Sequence, residues 1–330
     1  MKTQDKAVLV VKEIPPGPKA EDERPFSVSI MGQTGVGKSS LLNALFKVQL
    51  KTDPVKPCTK EITRVEIKGS GNQKLWFYDL PGIGESAEAD EKHLNQYLEK
   101  IQESDVVLWA IHADSHATTF ELEALQKLFD RLDEVSRISF FSKLTIVLTK
   151  ADLLAQPAWI FWKVSGKKGF IEPSKQVEEI LAAKKDFCKE TLFRPFARYF
   201  ASETHNDSGI AFTEPQFTSS QRYIIYSGEI SAAYFDQLRQ KYPQATEALN
   251  RLEMSQEVVP VSSQFKYNLD RLMRVIINKL GEEAIGRYEA FLGVDKLASL
   301  PITAVKQMGN LIVYDVQRDE LNFSFSQTNF

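Results

Sequence analysis

Eight consecutive residues, Gly32-Gln33-Thr34-Gly35-Val36-Gly37-Lys38-Ser39, have the types and spacing of a polyphosphate cradle. They fit G-x-x-x-x-G-K-[ST], in which glycines let successive backbone N–H groups approach phosphate oxygens with no Cβ in the way. The amides from Gln33 through Ser40 are the expected donors. Lys38 is placed to reach the β- and γ-phosphates as a point charge, and the Ser39 hydroxyl can ligate Mg²⁺. A helix opening at Lys38 would point its positive dipole end at the same anion.

Three further groups follow in order. Asp79-Leu80-Pro81-Gly82 ends a strand-like run. A carboxylate at that place holds Mg²⁺, usually through water, and the Gly82 N–H can approach a γ-phosphate closely. A plain β-turn is the competing reading of those four residues. Thr149-Lys150-Ala151-Asp152 closes another apolar run. The Asp152 carboxylate can accept from the N1–H and exocyclic amine of guanine, whereas adenine would leave that charge unmatched. The Lys150 stem can lie along the base plane; a capping Asp opening a helix is the alternative. Ser262 and Ser263, in Val258-Val259-Pro260-Val261-Ser262-Ser263, end a last strand where backbone N–H groups could meet the guanine O6. A Ser helix cap reads as well there when that stretch is taken alone.

Elements that would carry these groups are visible as alternating apolar runs and amphipathic stretches. Strands are expected at 26–31, 62–68, 74–79, 105–111, 143–149 and 258–262, and helices at 38–47, 90–103, 118–136 and 267–280. The runs at 105–111 and 144–148 are almost wholly apolar, as central strands buried on both faces require. The expected fold is α/β, a three-layer sandwich around a mostly parallel sheet. Residues 1–25 read as an N-terminal arm, and 26–153 with 258–282 as a nucleotide domain. The stretch 154–257 interrupts it, far longer than an ordinary connection. Within that insertion, helices are expected near 173–192 and 230–254, a loop from Ala201 to Ser220, and a strand at Tyr223–Tyr226. Residues 283–330 read as a C-terminal helix (283–298) followed by a hairpin.

The ordered set G-x-x-x-x-G-K-S, D-x-x-G, T-K-x-D and V-S-S resembles the guanine-nucleotide domain of the TRAFAC class of P-loop GTPases. With Leu108 to Asp114 followed by a helix, the chain looks most like the Era-like branch. It is similar to small bacterial proteins that are little more than a G domain, and more distantly to the interferon-inducible immunity GTPases. The resemblance implies GTP and GDP as ligands, Mg²⁺ as cofactor, and a molecular switch that hydrolyses GTP. It also implies a switch threonine between the first helix and the second strand. Thr59 lies in a Pro-punctuated loop and Thr63 falls on the strand, so Thr59 is the expected metal ligand. Lys38 and Thr59 are the expected catalytic groups.

Two departures bear on rate. Ile83 stands where Ras-type enzymes place a water-orienting glutamine, and Gly35 stands where some Era-like proteins carry a potassium-binding asparagine. Unassisted turnover is therefore expected to be slow, on the order of 10⁻⁴ to 10⁻² per second. A nucleotide-gated binding module with little or no hydrolysis is the competing reading. Glu85, His93 and Arg64 near the switches read as solvated.

The bulk composition is that of an ordinary soluble globule: 330 residues, 43% hydrophobic, 26% charged, net charge −3. No basic stripe interleaves with aromatics, so nothing suggests nucleic acid, and no lipid-inserting apolar stretch suggests a membrane. Two cysteines, Cys58 and Cys188, are too few for a disulfide framework, and a cytoplasmic setting is expected. The expected partners are a protein effector, engaged through the switch loops and the insertion, and a second G domain.

Overall fold

The structure is a computed structural model of the full chain, and it describes residues 25–46, 49–50, 52, 61–68, 74–83, 87–115, 119–154, 159–165, 168–281, 299–305, 308 and 311–323. The arm, Cys58, Thr59, Glu85 and the expected helix 283–298 lie outside the described residues. The central sheet contains β1 (Phe26–Gly32), β2 (Thr63–Lys68), β3 (Lys74–Asp79), β4 (Val106–His112), β5 (Leu144–Thr149) and the short β11 (Val259–Pro260). Their order is β11-β5-β4-β1-β3-β2, all parallel except β2, which runs antiparallel to β3.

Strand alternation sorts the two faces. Val106, Leu108 and Ala110 of β4 share one apolar cluster with Val28 and Ile30 of β1. Helix α1 (Lys38–Phe46) covers that face with Leu41, Leu42 and Leu45, and α8 (Leu269–Leu280) covers it with Leu272 and Ile276. Val107, Trp109 and Ile111 point to the other face, beneath α2 (Ala87–Glu103), α3 (Thr119–Asp130) and α4 (Glu134–Lys143). Every residue of β5 is buried, Thr145 and Thr149 included, as its nearly continuous apolar run leads one to expect. Each large side chain so enclosed contributes about 1.5–3 kcal/mol of burial.

The expected helix 118–136 is two helices. Asp133, in extended backbone, accepts a hydrogen bond from Ser136 N and starts α4 as a new N-cap. The expected helix near 230–254 is likewise divided, into α6 (Ala232–Lys241) and α7 (Thr246–Ser255), because Pro243 between them has no N–H to continue a helix.

The insertion is where structure and expectation part. An unanticipated antiparallel pair, β6 (Trp159–Ser165) and β7 (Lys168–Pro173), precedes α5 (Lys175–Cys188). The expected loop 201–220 contains two strands, β8 (Ala201–His205) and β9 (Phe217–Ser219), which flank β10 (Tyr223–Ser227) in a small antiparallel sheet. Polar composition misleads there because β8 is half solvated. Ala201 and Ser202 are buried, Glu203 is exposed, and Thr204 and His205 are half-buried.

The boundary at 283 does not divide the chain in space. Residues 311–315 (β13) pair in parallel with β6, and the terminal hairpin is completed by β14 (Glu320–Phe323). With β12 (Leu300–Pro301) on β7, one sheet of order β12-β7-β6-β13-β14 joins the insertion to the C-terminal segment. Among the described residues no helix is long and apolar enough to cross a membrane.

Candidate nucleotide-binding site

The four motifs lie at the carboxyl ends of β1, β3, β5 and β11, hence on one rim of the sheet, where open α/β folds bind their ligands. The strand-to-helix turn from Gly32 to Lys38 is tight. Gly32 has φ 140°, and a Cβ there would lie 2.2 Å from Ala110 O, so only glycine fits. Gln33, Thr34, Gly35, Val36 and Gly37 form the loop, and α1 opens at Lys38, leaving the first-turn amides of Lys38, Ser39 and Ser40 at the loop mouth. Lys38 is buried, and its Nζ donates to Gly32 O at 3.1 Å and Gln33 O at 3.0 Å, folding the ammonium over the loop.

Ser39 Oγ donates to Asp79 Oδ2 at 2.6 Å, and Asp79 is almost wholly buried. A hydroxyl and a carboxylate converging at the loop mouth are two hard oxygen donors of the kind Mg²⁺ takes alongside waters and phosphates. This donor set fits the ion. Thr63 opens β2 on the exposed side and donates to Glu61 O at 3.5 Å.

Gly82 presses on the loop from the other side. A Cβ at Gly82 would meet Thr34 Oγ1 at 2.1 Å and Thr34 Cα at 2.5 Å. The next residue, Ile83, is zipped to the loop by backbone bonds: Thr34 N to Ile83 O at 2.9 Å and Ile83 N to Gly32 O at 3.3 Å. Its side chain is buried in the core rather than turned to the site.

The base-side corner is tied to the same loop. Thr149 Oγ1 is 2.6 Å from Val36 O and 3.0 Å from Ile111 O. Lys150, in left-handed backbone with φ 54°, sends its Nζ to Gly35 O at 2.8 Å, so its stem lies across the loop. Asp152 sits half-buried in the turn that follows. Val261 is joined to both neighbours: its N–H donates to Leu148 O at 2.8 Å and its carbonyl accepts from Ala151 N at 3.0 Å. Ser262 Oγ accepts from Phe265 N at 3.0 Å, and its N–H and carbonyl pair with Tyr267 at 3.2 and 3.1 Å, so both its side chain and its backbone are engaged within the turn. Ser263 is half-buried beside it. His112, ending β4, has its basicity lowered by burial and by Lys150, against the opposing pull of Asp114 and Asp152. It accepts from Asp114 N at 3.2 Å through Nδ1, which places its proton on Nε2.

Arg64 is exposed on β2, with its guanidinium 4.7 Å from the Trp76 ring centre, as a solvated reading allows. His93 is not solvated. It is buried, with Nδ1 2.8 Å from Gly82 O. Tyr97, which carries no motif, reaches both phosphate-side turns from α2. The available signal was helical spacing: His93, Leu94, Tyr97 and Ile101 share the buried face of an otherwise charged helix. Cys188 is buried in the core with its thiol pushed up to about 11 by desolvation, an unreactive setting.

Residues 27–150 match a family described as 50S ribosome-binding GTPase. Among curated proteins, the chain is similar to uncharacterized protein YkfA of Escherichia coli (strain K12), 42% identical over 95 residues, which are 28% of this chain and 33% of that protein. It is also similar to uncharacterized protein YfjP of the same strain, 40% identical over 91 residues, 27% of this chain and 31% of that one. GTPase Era of Pseudomonas aeruginosa (strain LESB58) is 30% identical over 140 residues, 40% of this chain and 43% of Era. The chain thus spans about a third of the length of the first two and less than half of the third.

Proposed function

We propose that the chain, whose residues 27–150 match the 50S ribosome-binding GTPase family, is a P-loop GTPase of the Era-like branch of the TRAFAC class that binds GTP and GDP with Mg²⁺ and hydrolyses GTP slowly, the two nucleotide states forming a molecular switch. The observation that carries this reading is the convergence of four separated motifs on one rim, tied to one another by Thr149, Lys150 and Val261. Lys38 and the amides of the loop hold the charge that spreads over the transferring phosphoryl group. Ser39 and Asp79 would hold Mg²⁺, with Thr59 as a further ligand. Held by these residues, Mg²⁺ would supply positive charge to offset the negative charge developing on the phosphates. Asp152 reads guanine, with Lys150 along the base; the N–H groups of Val261 and Ser262 are spent on Leu148 O and Tyr267 O, which leaves the Ser263 N–H to approach O6.

Calorimetry of well-folded protein with Mg²⁺ and GTP or GDP tests the binding, and single-turnover phosphate release tests the chemistry. Absence of heat with either nucleotide ends the proposal. One observation favours the second reading, a nucleotide-gated binding module. Ile83 is buried and held by the loop backbone, so no side chain at that position can orient water. Turnover above about 10⁻² per second without a partner removes the module reading. The partner classes proposed are a protein effector, reached through the switches and the 154–257 insertion, and a second G domain. Light scattering with GDP and with a non-hydrolysable GTP analogue distinguishes them.

A further inference from the structure

Two side chains on α2 face the backbone of the D-x-x-G turn. Tyr97 is fully enclosed, and its hydroxyl donates to Pro81 O at 2.7 Å. The same oxygen lies 3.3 Å from Gly32 N, from which it accepts. One turn earlier, His93 donates from Nδ1 to Gly82 O at 2.8 Å, since a carbonyl can only accept. The Tyr97 hydroxyl and the His93 Nδ1 are therefore spent on main chain of the two phosphate-side turns.

A trans peptide holds its C=O and N–H antiparallel. Anchoring Pro81 O on Tyr97, toward the core, sends the Gly82 N–H the opposite way, out of the core. The next plane obeys the same rule. Gly82 O is taken by His93, and the Ile83 N–H is delivered on the other side to Gly32 O at 3.3 Å. Two successive peptide planes are thus set by two residues of one helix. Pro81 restricts the turn further by fixing its own φ. Gly82 has no side chain with which to resist, and the contact with Thr34 forbids one.

We propose that Tyr97 and His93 are positioning residues of the nucleotide site. They hold the Pro81–Gly82 and Gly82–Ile83 planes so that the Gly82 N–H is presented to a terminal phosphoryl group before the ligand arrives, and they couple that group to α2. This inference rests on the GTPase reading and deepens it. Only a triphosphate supplies the group that Gly82 meets, so the two residues discriminate GTP from GDP rather than strengthening both. A donor aimed in advance needs no reorganisation when charge arrives, and that advantage is lost when the plane turns freely.

The test compares affinities for GDP and for a non-hydrolysable GTP analogue, both with Mg²⁺, in the parent and in Tyr97→Phe, His93→Leu and His93→Asn. The parent is measured first, and a parent that binds neither nucleotide defeats the GTPase reading before any variant is made. With a binding parent, Tyr97→Phe and His93→Leu should weaken the GTP analogue about ten-fold, the scale of one buried hydrogen bond. GDP affinity should stay within about two-fold in those variants. His93→Asn, whose amide can donate to the same carbonyl, should restore most of the analogue affinity. Amide exchange in α2 should slow on adding the analogue to the parent and not to Tyr97→Phe. Equal weakening of both nucleotides, the mark of a structural role, overturns the proposal, and so does unchanged affinity for both.

Discussion

The nucleotide rim and the outer sheets are specified in different ways. At the rim, contacts join short signature segments through polar atoms: Thr149 Oγ1 on Val36 O, Ser39 Oγ on Asp79, Lys150 Nζ on Gly35 O. The outer regions are joined by ring stacking and strand pairing. Phe141 of α4 stacks on Phe196 at 4.9 Å and lies 5.0 Å from Phe200, clamping the insertion to the G-domain helices. Trp159 of β6 meets Phe265 at 5.3 Å and Tyr267 at 4.9 Å, behind the base-side corner. The outer sheet shares its core with Ala151, between Lys150 and Asp152. Polar contacts fix residue types at the rim; shape and area fix the periphery, and the two meet at the turn proposed to read the base.

The largest expected effect is on the apolar side of this contrast. Phe141→Ala empties a site almost wholly buried among five other rings and should cost about 3–5 kcal/mol, read as a lowered urea midpoint. GDP affinity at low temperature should change little, since no rim group touches that ring. A large loss of GDP binding with an unchanged midpoint would reverse the assignment of roles. Lys38→Ala should do the opposite, weakening the GTP analogue by about a hundred-fold while leaving the midpoint of the nucleotide-free protein near the parent value. Undiminished GTP binding by that variant would break the polar side of the comparison.

Asp152→Asn probes the meeting point. An amide donates where a carboxylate accepted, so GTP should weaken on the order of ten- to a hundred-fold and xanthosine triphosphate should gain. Competition between the two nucleotides measures the exchange. If GTP preference is unaltered, Asp152 is not the base reader, and the Val261 and Ala151 bonds are mere fold closure.

What could be read from the sequence follows the same divide. Glycines at 32, 35 and 37, Lys38 and the T-K-x-D residues stand out as motifs of fixed spacing, and the structure brings those motifs to one rim. The nearly continuous apolar runs of β4 and β5 are legible because burial on both faces leaves few polar positions. The partnership of β6 with β13 is not, because nothing local in Trp159–Ser165 encodes a strand about 150 residues downstream. His93 and Tyr97 fall between. Their burial is implicit in helical spacing, but their carbonyl partners are visible only once α2 is laid against residues 81 and 82.

The smallest expected effect concerns the ion pair that fastens the outer sheet. Asp315 and Lys163 are register partners on β13 and β6, and Lys163 Nζ is 2.7 Å from Asp315 Oδ2. Lys163 holds the Asp315 carboxyl below its ordinary value of 3.8, with further help from the amides of Gln317 and Arg318. A carboxyl more acidic in the folded state binds fewer protons there than in the unfolded chain as pH falls through that range. Its contribution is therefore fully present above about pH 4 and drains away below it. Asp315→Asn should flatten the acid limb of a stability-against-pH curve and leave the neutral region only slightly lowered. Residues of the nucleotide rim take no part in that pair, so GDP affinity at neutral pH should be that of the parent. If instead base preference or GDP binding moved with Asp315→Asn, the outer sheet would act on the base-reading turn through Trp159, Phe265 and Ala151, and periphery and rim would have to be treated as one functional unit.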